Sequence, residues 1–157
     1  LIDWRLHSQH REEQIRSLTQ LRLAVEPAAA EGAAREGSIH ARAQLLPLAA
    51  ELRRTGEAGD LQSFMKYDIE FHRVLLASCG NEMFAALGVH VAAILEGRTH
   101  LGLMPPKPRP EALDGHEAVA ETVFRGDPVA ARTAMQQILH EVSAAFADAG
   151  PAGGTSA

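Results

Sequence analysis

Residues 67–81, which read YDIEFHRVLLASCGN, indicate a helix in which two polar side chains interrupt an apolar stripe. The stripe has the spacing of one buried helix face and consists of Leu61, Met65, Leu75 and Cys79. Asp68 and His72 fall within it one turn apart, so both side chains project from the face that should be buried. Because a bare carboxylate is costly to bury, Asp68 must be paired with a cationic partner or bound to a metal ion.

A second histidine occupies a core position on a later helix. In DGHEAVAETVF, residues 114–124, one helix face is formed by His116, Val119, Ala120 and Val123. The last helix carries His140, and the core face of that helix is predicted to be Ala131, Ala134, Met135 and Ile138. At about 100° per residue, His140 lies about 200° from Ile138 around the helix axis. We therefore expect His140 to face solvent.

Two interpretations of Asp68, His72 and His116 are open. Two imidazoles and one carboxylate from two helices suit zinc, manganese, nickel or iron, with coordination positions left for water or a ligand. Alternatively, each buried histidine is a hydrogen-bonded core residue, and Asp68 with His72 forms only a local salt bridge. The spacing alone does not decide between a metal site and an internal pair.

Arg22 is a charged residue between apolar neighbours in LRLAVEP, residues 21–27. If it points inward, its guanidinium can hold a carboxylate in a two-pronged hydrogen bond. If it does not, it pairs with Glu26 at i+4. Cys79 is interpreted as a buried small apolar residue. The remaining histidines are assigned to the surface or to loops: His7, His10, His40, His90 and His100.

Helical periodicity extends over most of the chain, and no run alternates as a strand does. Six helices are predicted, at about 12–35, 39–54, 61–78, 82–96, 110–124 and 128–147. Pro27 should kink the first helix or break one of its hydrogen bonds, and Pro47 should disturb the second helix. Predicted N-caps are Ser38, Asp60, Asn81 and Asp127. The sequence therefore predicts an all-α antiparallel bundle over residues 1–149 and a disordered tail over 150–157.

Composition and charge narrow the class of protein. A chain of 157 residues suits one domain, and frequent alanine with only 4% aromatic residues favours closely packed helices. The net charge of −5 argues against this segment binding a nucleic-acid backbone by itself. There is no apolar run near the ~20 residues of a membrane span, and no signal-peptide profile. One cysteine excludes an internal disulfide framework, so a cytoplasmic location is expected.

Four stretches in combination resemble a known family. They are LRLAVEPAAAEGAA, DIEFHRVLLASCGN, DGHEAVAETVFRGD and PVAARTAM, in this order between about Arg22 and His140. An Asp-x-x-x-His followed by Gly-Asn, and later a His before Gly-Asp, resembles the C-terminal effector-binding (FCD) domain of the FadR subgroup of GntR-type transcription regulators. The resemblance implies a bundle of six or seven helices that encloses a ligand cavity.

The resemblance also implies a site. Many members hold a divalent metal with one aspartate and three histidines, and bind small carboxylates such as sugar acids or hydroxy acids there. Asp68, His72 and His116 match the first three ligands, whereas Ile138 occupies the expected fourth position. Zinc is expected first, with nickel or manganese as alternatives, unless the missing ligand means that the metal is absent. The implied effector-binding residues are Arg22, Asp68, His72, Asn81, His116 and Ile138.

The function implied by the resemblance is that of a ligand-sensing, dimerising regulator domain without enzymatic activity. A bound carboxylate would shift the population of domain states and re-aim attached DNA-binding domains. The chain starts at Leu1 rather than Met, and DNA contact is expected from an upstream winged helix-turn-helix domain outside this sequence. No membrane partner is expected. Two alternatives are a helical metalloenzyme using Asp68, His72 and His116, and a plain helical interaction module.

Overall fold

Helices account for nearly all of the chain that the structure describes. The computed structural model describes the backbone of residues 11–100 and 104–148. In chain order the helices are α1 (Arg11–Glu36), α2 (Ile39–Ala43), α3 (Leu45–Ala58), α4 (Leu61–Ser78), α5 (Glu82–Ala86), α6 (Gly88–His100), α7 (Pro110–Arg125) and α8 (Pro128–Asp148). These two ranges contain no β-strand, which confirms the predicted all-α fold. The predicted tail at 150–157 lies outside the described residues, as do His7 and His10.

The six predicted helices are present, but two of them are each divided by one residue. Gln44 separates α2 from α3, and Leu87 separates α5 from α6. The first division has a physical reason, because Pro47 has no N–H to donate to the carbonyl of Ala43 and its ring crowds that carbonyl. At the second division, Leu87 is followed by Gly88, a weak helix former.

The predicted end of the helix before the proline-rich segment needs correction. The sequence predicted that the helix before the proline-rich segment ends near Glu96, whereas α6 continues to His100. Its last turn carries Arg98 and His100, and basic side chains are favourable near the negative end of the helix dipole. Pro27 lies inside α1, and the helix is continuous through this residue.

The predicted capping residues begin their helices as expected. Each accepts a hydrogen bond from a backbone N–H two or three residues later, and the four are Ser38, Asp60, Asn81 and Asp127. Gly126 ends α7 with a φ of 72°, a left-handed conformation that glycine adopts without strain. Asp60 thus sets the start of α4, and Gly126 sets the end of α7. These two helices carry the polar core residues.

The bundle core is formed by apolar side chains from six helices, α1, α3, α4, α6, α7 and α8. The large fully buried ones include Leu45, Leu52, Phe71, Leu75, Ile94, Val119, Met135 and Leu139. α1 lies against α8 and also contacts α4 and α7, while α4 packs against α3 and α6. A Cβ at Gly32 would lie 2.4 Å from the carbonyl oxygen of Cys79, so glycine lets α1 approach the end of α4 closely. Among the described helices, none is long and apolar enough to cross a membrane.

Candidate metal and effector site

Asp68 and His72 of α4 meet His116 of α7 inside the bundle. Oδ1 of Asp68 lies 3.1 Å from Nε2 of His116 and 3.4 Å from Nε2 of His72. One potential ligand atom from each of the three residues lies within 4.8 Å of the other two. All three side chains are buried. The structure therefore brings together the three residues that the sequence nominated as metal ligands.

The apolar surroundings fix how the two imidazoles are oriented. Phe71 packs edge-on against both rings, with centroid distances of 5.7 Å to His72 and 5.1 Å to His116. The two imidazoles also meet each other at an interplanar angle of 80°. Because Phe71 is fully buried, its ring leaves the histidines little freedom to turn away from Asp68.

Each histidine is held through Nδ1, which leaves Nε2 directed toward Asp68. Nδ1 of His116 lies 2.6 Å from the carbonyl oxygen of Ala112. A carbonyl can only accept a hydrogen bond, so this Nδ1 carries the proton. Nδ1 of His72 lies 2.9 Å from Oε2 of Glu26, although the contact is off the N–H direction and is better described as an ion pair. In both rings, Nε2 is therefore the nitrogen that faces the Asp68 carboxylate.

This donor set fits a divalent cation. Two imidazole lone pairs and a carboxylate oxygen repel one another unless a proton or a metal ion lies between them. Burial and the charge of Arg22 work against the charged form of His72, yet Glu26 and Asp68 together raise the pKa of this histidine to about 9. Burial likewise opposes ionisation of Asp68, but hydrogen bonds from His116 and His72 hold its pKa well below the usual value. The site strongly favours positive charge at its centre, and Nδ1-supported histidines are the usual arrangement of metal ligands.

Glu26 is a site residue that the sequence considered only as a partner of Arg22. It is fully buried and accepts hydrogen bonds from Nε and Nη2 of Arg22 at 2.7 and 3.2 Å. Burial raises the pKa of Glu26, but Arg22 and His72 together lower it to about 2. Its carboxylate therefore remains ionised behind the histidine and supports the Nδ1 side of the His72 ring.

Arg22 fulfils parts of both interpretations. It pairs with Glu26 at i+4, and it also points inward, with Nη2 3.2 Å from Nε2 of His72. The edge of the guanidinium that was expected to hold an effector carboxylate is therefore occupied by Glu26. Arg22 links α1 to the histidine on α4, so we interpret it first as part of the support of the site.

A cavity of about 80 Å³ adjoins the cluster. Its buried polar lining consists of Arg22, Asp68, His72, Arg98 and His116. Its apolar lining consists of Phe64, Met104, Pro105, Pro108, Ala112 and Ile138. Arg109 and Glu141 line it as well, and these two exposed side chains lie 3.9 Å apart. The combination of apolar walls with a few converging polar groups is typical of a small-molecule site.

The position of the expected fourth ligand is occupied by an apolar side chain that cannot bind a metal ion. Ile138 is buried in the cavity wall. It packs so closely on α7 that a Cβ at Gly115 would lie 2.6 Å from its Cγ1. His140 is exposed, in agreement with its predicted phase on α8. Within the described residues, the metal-binding group consists of Asp68, His72 and His116.

Asn81 is not brought to the cavity, which corrects its nomination as an effector-binding residue. Its side chain is exposed and accepts hydrogen bonds from the backbone N–H groups of Met83 and Phe84, at 3.0 and 3.3 Å. In this chain the Gly-Asn pair follows the end of α4, and its asparagine caps α5. We therefore interpret Asn81 as a capping residue.

Replacing Asn81 should accordingly change stability without changing the site. We expect Asn81→Ala to lower the free energy of unfolding by about 1 kcal/mol, because the first turn of α5 loses its cap. Urea denaturation measures this loss, and Asn81→Asp serves as the matched control because aspartate also caps helices. A loss of bound metal or ligand in Asn81→Ala, with the fold retained, would contradict the assignment.

Arg98 is a buried cavity residue that the sequence interpretation missed. It lies on α6, and burial lowers its pKa to about 10, with the charge of Arg22 acting in the same direction and that of Asp68 opposing it. One signal was present, because Val91, Ile94, Leu95 and Arg98 share the spacing of a buried helix face and are all buried. Of the other histidines, His40 and His100 are exposed as predicted, whereas His90 is half-buried on α6.

Comparisons with known proteins bear on the fold and the family. A family model described as the FCD domain matches residues 17–141. Among solved structures, the chain is similar to Streptococcus agalactiae GntR, with a TM-score of 0.71 and 24% sequence identity. The match covers 87% of this chain and 60% of that chain, so this sequence corresponds to only part of its solved relative. At this identity the likeness supports the fold alone. No curated protein sequence matches the chain.

Proposed function

The chain belongs to the FCD domain family of GntR-type regulators, and on this premise we propose that it senses a small carboxylate effector through a divalent metal ion. The observation that carries the proposal is the convergence of Asp68, His72 and His116 beside a cavity. The proposed effectors are sugar acids or hydroxy acids. The role is regulatory, and we expect no turnover of the bound acid.

Asp68, His72 and His116 would hold the ion. One carboxylate oxygen and two imidazole nitrogens suit zinc, and they also suit nickel or manganese. When bound, the ion would act as a Lewis acid that attracts the oxygens of an anionic ligand. Because Ile138 supplies no ligand, more coordination positions remain for water or effector oxygens than in a four-ligand site. Glu26 keeps the His72 ring in the orientation that metal binding needs.

The proposed mechanism is a shift between domain states that differ in effector affinity. An effector changes an equilibrium only by its differential affinity for the two states. The cavity is lined by residues of α4, α6, α7 and α8, and Arg22 and Glu26 connect it to α1. A ligand that favours one arrangement of these helices would therefore also favour one position of α1.

We extend the proposal to the whole regulator. A winged helix-turn-helix domain attached before α1 would contact DNA, and the FCD domains of two copies would form a homodimer. Regulation of bacterial transcription requires the cytoplasm, so we propose that location. A movement of α1 would then reach the DNA-binding domains through the attached chain.

Thermal unfolding with and without small acids tests the proposed function. An acid present at a hundred times its Kd stabilises the native state by about 2.7 kcal/mol. For a domain of this size we expect Tm to rise by roughly 5–10 °C. Lactate and gluconate are the first acids, and lactamide is the matched neutral control. The shift should disappear after removal of metal by a chelator and return on addition of zinc.

The alternatives give different results in the same experiment. A metalloenzyme would consume its acid, which proton NMR of the incubated mixture would detect. A plain interaction module would show no Tm change with metal, chelator or any acid. A Tm rise of full size in the metal-free protein would instead mean that the effector binds to the side chains directly, and would overturn the metal-dependent part of the proposal.

A further inference from the structure

Ile138 forms an apolar part of the wall of the cavity that also contains Asp68, His72 and His116. We propose that Ile138 is a specificity-determining residue, which selects hydroxy acids with a short alkyl substituent and disfavours acids that carry further hydroxyl groups. The inference rests on the proposed function, because the carboxylate of the effector is assigned to the metal-binding cluster. It goes further by choosing between hydroxy acids and sugar acids and by naming the residue responsible.

The first observation is how firmly Ile138 is held. Its side chain is only 3% exposed. A Cβ at Gly115 would lie 2.6 Å from Cγ1 of Ile138 and 3.3 Å from its Cδ1, so glycine at this position lets Ile138 pack directly on α7. An isoleucine in a helix also has one strongly preferred χ1 rotamer. Ile138 therefore offers the cavity a fixed apolar surface.

The second observation is the composition of the wall. The described lining residues that are not ionisable are all apolar, and they are Phe64, Met104, Pro105, Pro108, Ala112 and Ile138. The described lining thus contains no neutral hydroxyl or amide side chain, the groups that both donate and accept hydrogen bonds. Pro105 and Pro108 also lack a backbone N–H. A ligand hydroxyl against this part of the wall would lose its hydrogen bonds to water, whereas an alkyl group would gain from burial.

The third observation is the size of the cavity. A volume of about 80 Å³ corresponds to roughly five to eight water positions. Lactate and 2-hydroxybutyrate are of this size. Gluconate has about twice as many non-hydrogen atoms, so part of its chain would extend out of the cavity. Size and wall composition therefore favour the same class of acid.

A pair of acids that differ in one group tests the inference. Glycerate is 2-hydroxybutyrate with the terminal methyl group replaced by a hydroxyl, so the two acids share the carboxylate and the 2-hydroxyl group. The zinc-loaded chain is titrated with each by calorimetry, in both configurations at C2. We expect 2-hydroxybutyrate to bind about ten- to a hundredfold more tightly, because its methyl group is buried and the hydroxyl of glycerate would be left unpaired. Zinc content is measured after each titration, because hydroxy acids also bind zinc in solution.

Two variants of Ile138 separate its polarity from its volume. Threonine and valine have the same branched shape and differ only in a hydroxyl in place of one methyl group. Ile138→Thr should reduce the preference for 2-hydroxybutyrate over glycerate to less than about threefold, because its hydroxyl can pair with that of glycerate. Ile138→Val is the matched control and should keep a preference of about tenfold or more. Both variants should keep the zinc content of the wild type, since Ile138 supplies no metal ligand.

The outcomes distinguish this inference from the proposed function. A chain that holds zinc and binds glycerate or gluconate as tightly as 2-hydroxybutyrate overturns the inference and leaves the proposed function standing. Equal preferences in Ile138→Thr and Ile138→Val overturn the role assigned to Ile138. A chain that binds neither zinc nor any of the acids overturns both proposals. The wild-type comparison remains decisive if Ile138→Thr does not fold.

Discussion

Bound metal should fall from about one ion per chain to near zero when His72 or His116 is replaced by alanine. Loss of a residue that only supports a metal ligand typically lowers metal affinity 10- to 100-fold. Each histidine here presents its Nε2 to the shared centre at Asp68, at 3.4 and 3.1 Å, so loss of the ligand itself should exceed that range. Elemental analysis of protein purified without chelator and dialysed against zinc measures the result.

His140→Ala is the matched control for these variants. It removes a histidine from the same protein, but the side chain is exposed and outside the metal-binding group. The metal content of His140→Ala should therefore equal that of the wild type. Far-UV circular dichroism establishes that His72→Ala and His116→Ala are folded. Wild-type metal content in both folded variants, or none in the zinc-treated wild type, would rule out this cluster as the metal site and favour an internal Asp–His pair.

The three cluster residues could be predicted because their signal is local. A polar residue at a position where helical spacing requires an apolar one must find a partner, and this reasoning selected Asp68, His72 and His116 before any contact was known. The helix ends were also accessible from sequence, since capping depends on side chains within three residues of the terminus. Those two kinds of information depend on a short window of sequence.

The roles of Asn81, Glu26 and Arg98 were less accessible, for different physical reasons. Asn81 was nominated from the family pattern, although its capping geometry already explains why asparagine stands there. Glu26 and Arg98 become part of the site through packing of α1 and α6 against α4. Helical spacing indicates which face is buried, but not which neighbouring helix covers it, so neither residue could be connected to His72 from sequence alone.

The buried Arg22–Glu26 pair should be among the most sensitive elements of the domain. Arg22→Met leaves the Glu26 carboxylate, which is fully buried, without the guanidinium that donates two hydrogen bonds to it. Breaking one partner of a buried ion pair costs about 3–5 kcal/mol. We expect the free energy of unfolding to fall by this amount and Tm to fall by roughly 6–20 °C. Urea and thermal denaturation of the metal-free chain measure both quantities without a contribution from bound zinc.

The double variant Arg22→Met/Glu26→Met separates what the pair does for stability from what it does for the site. Replacing both charges by apolar side chains of similar volume is often neutral or stabilising, so the double variant should recover most of the stability lost by Arg22→Met. Zinc affinity should nevertheless fall about 10- to 100-fold, because Nδ1 of His72 loses the carboxylate 2.9 Å away.

Recovery of stability together with wild-type zinc affinity would show that Glu26 does not support the histidine. Failure to recover stability would show that the pair contributes more than compensation of its own charges. We expect a stable domain with weakened zinc binding. That result would mean that the buried charges of Arg22 and Glu26 on α1 serve the metal site rather than the stability of the fold.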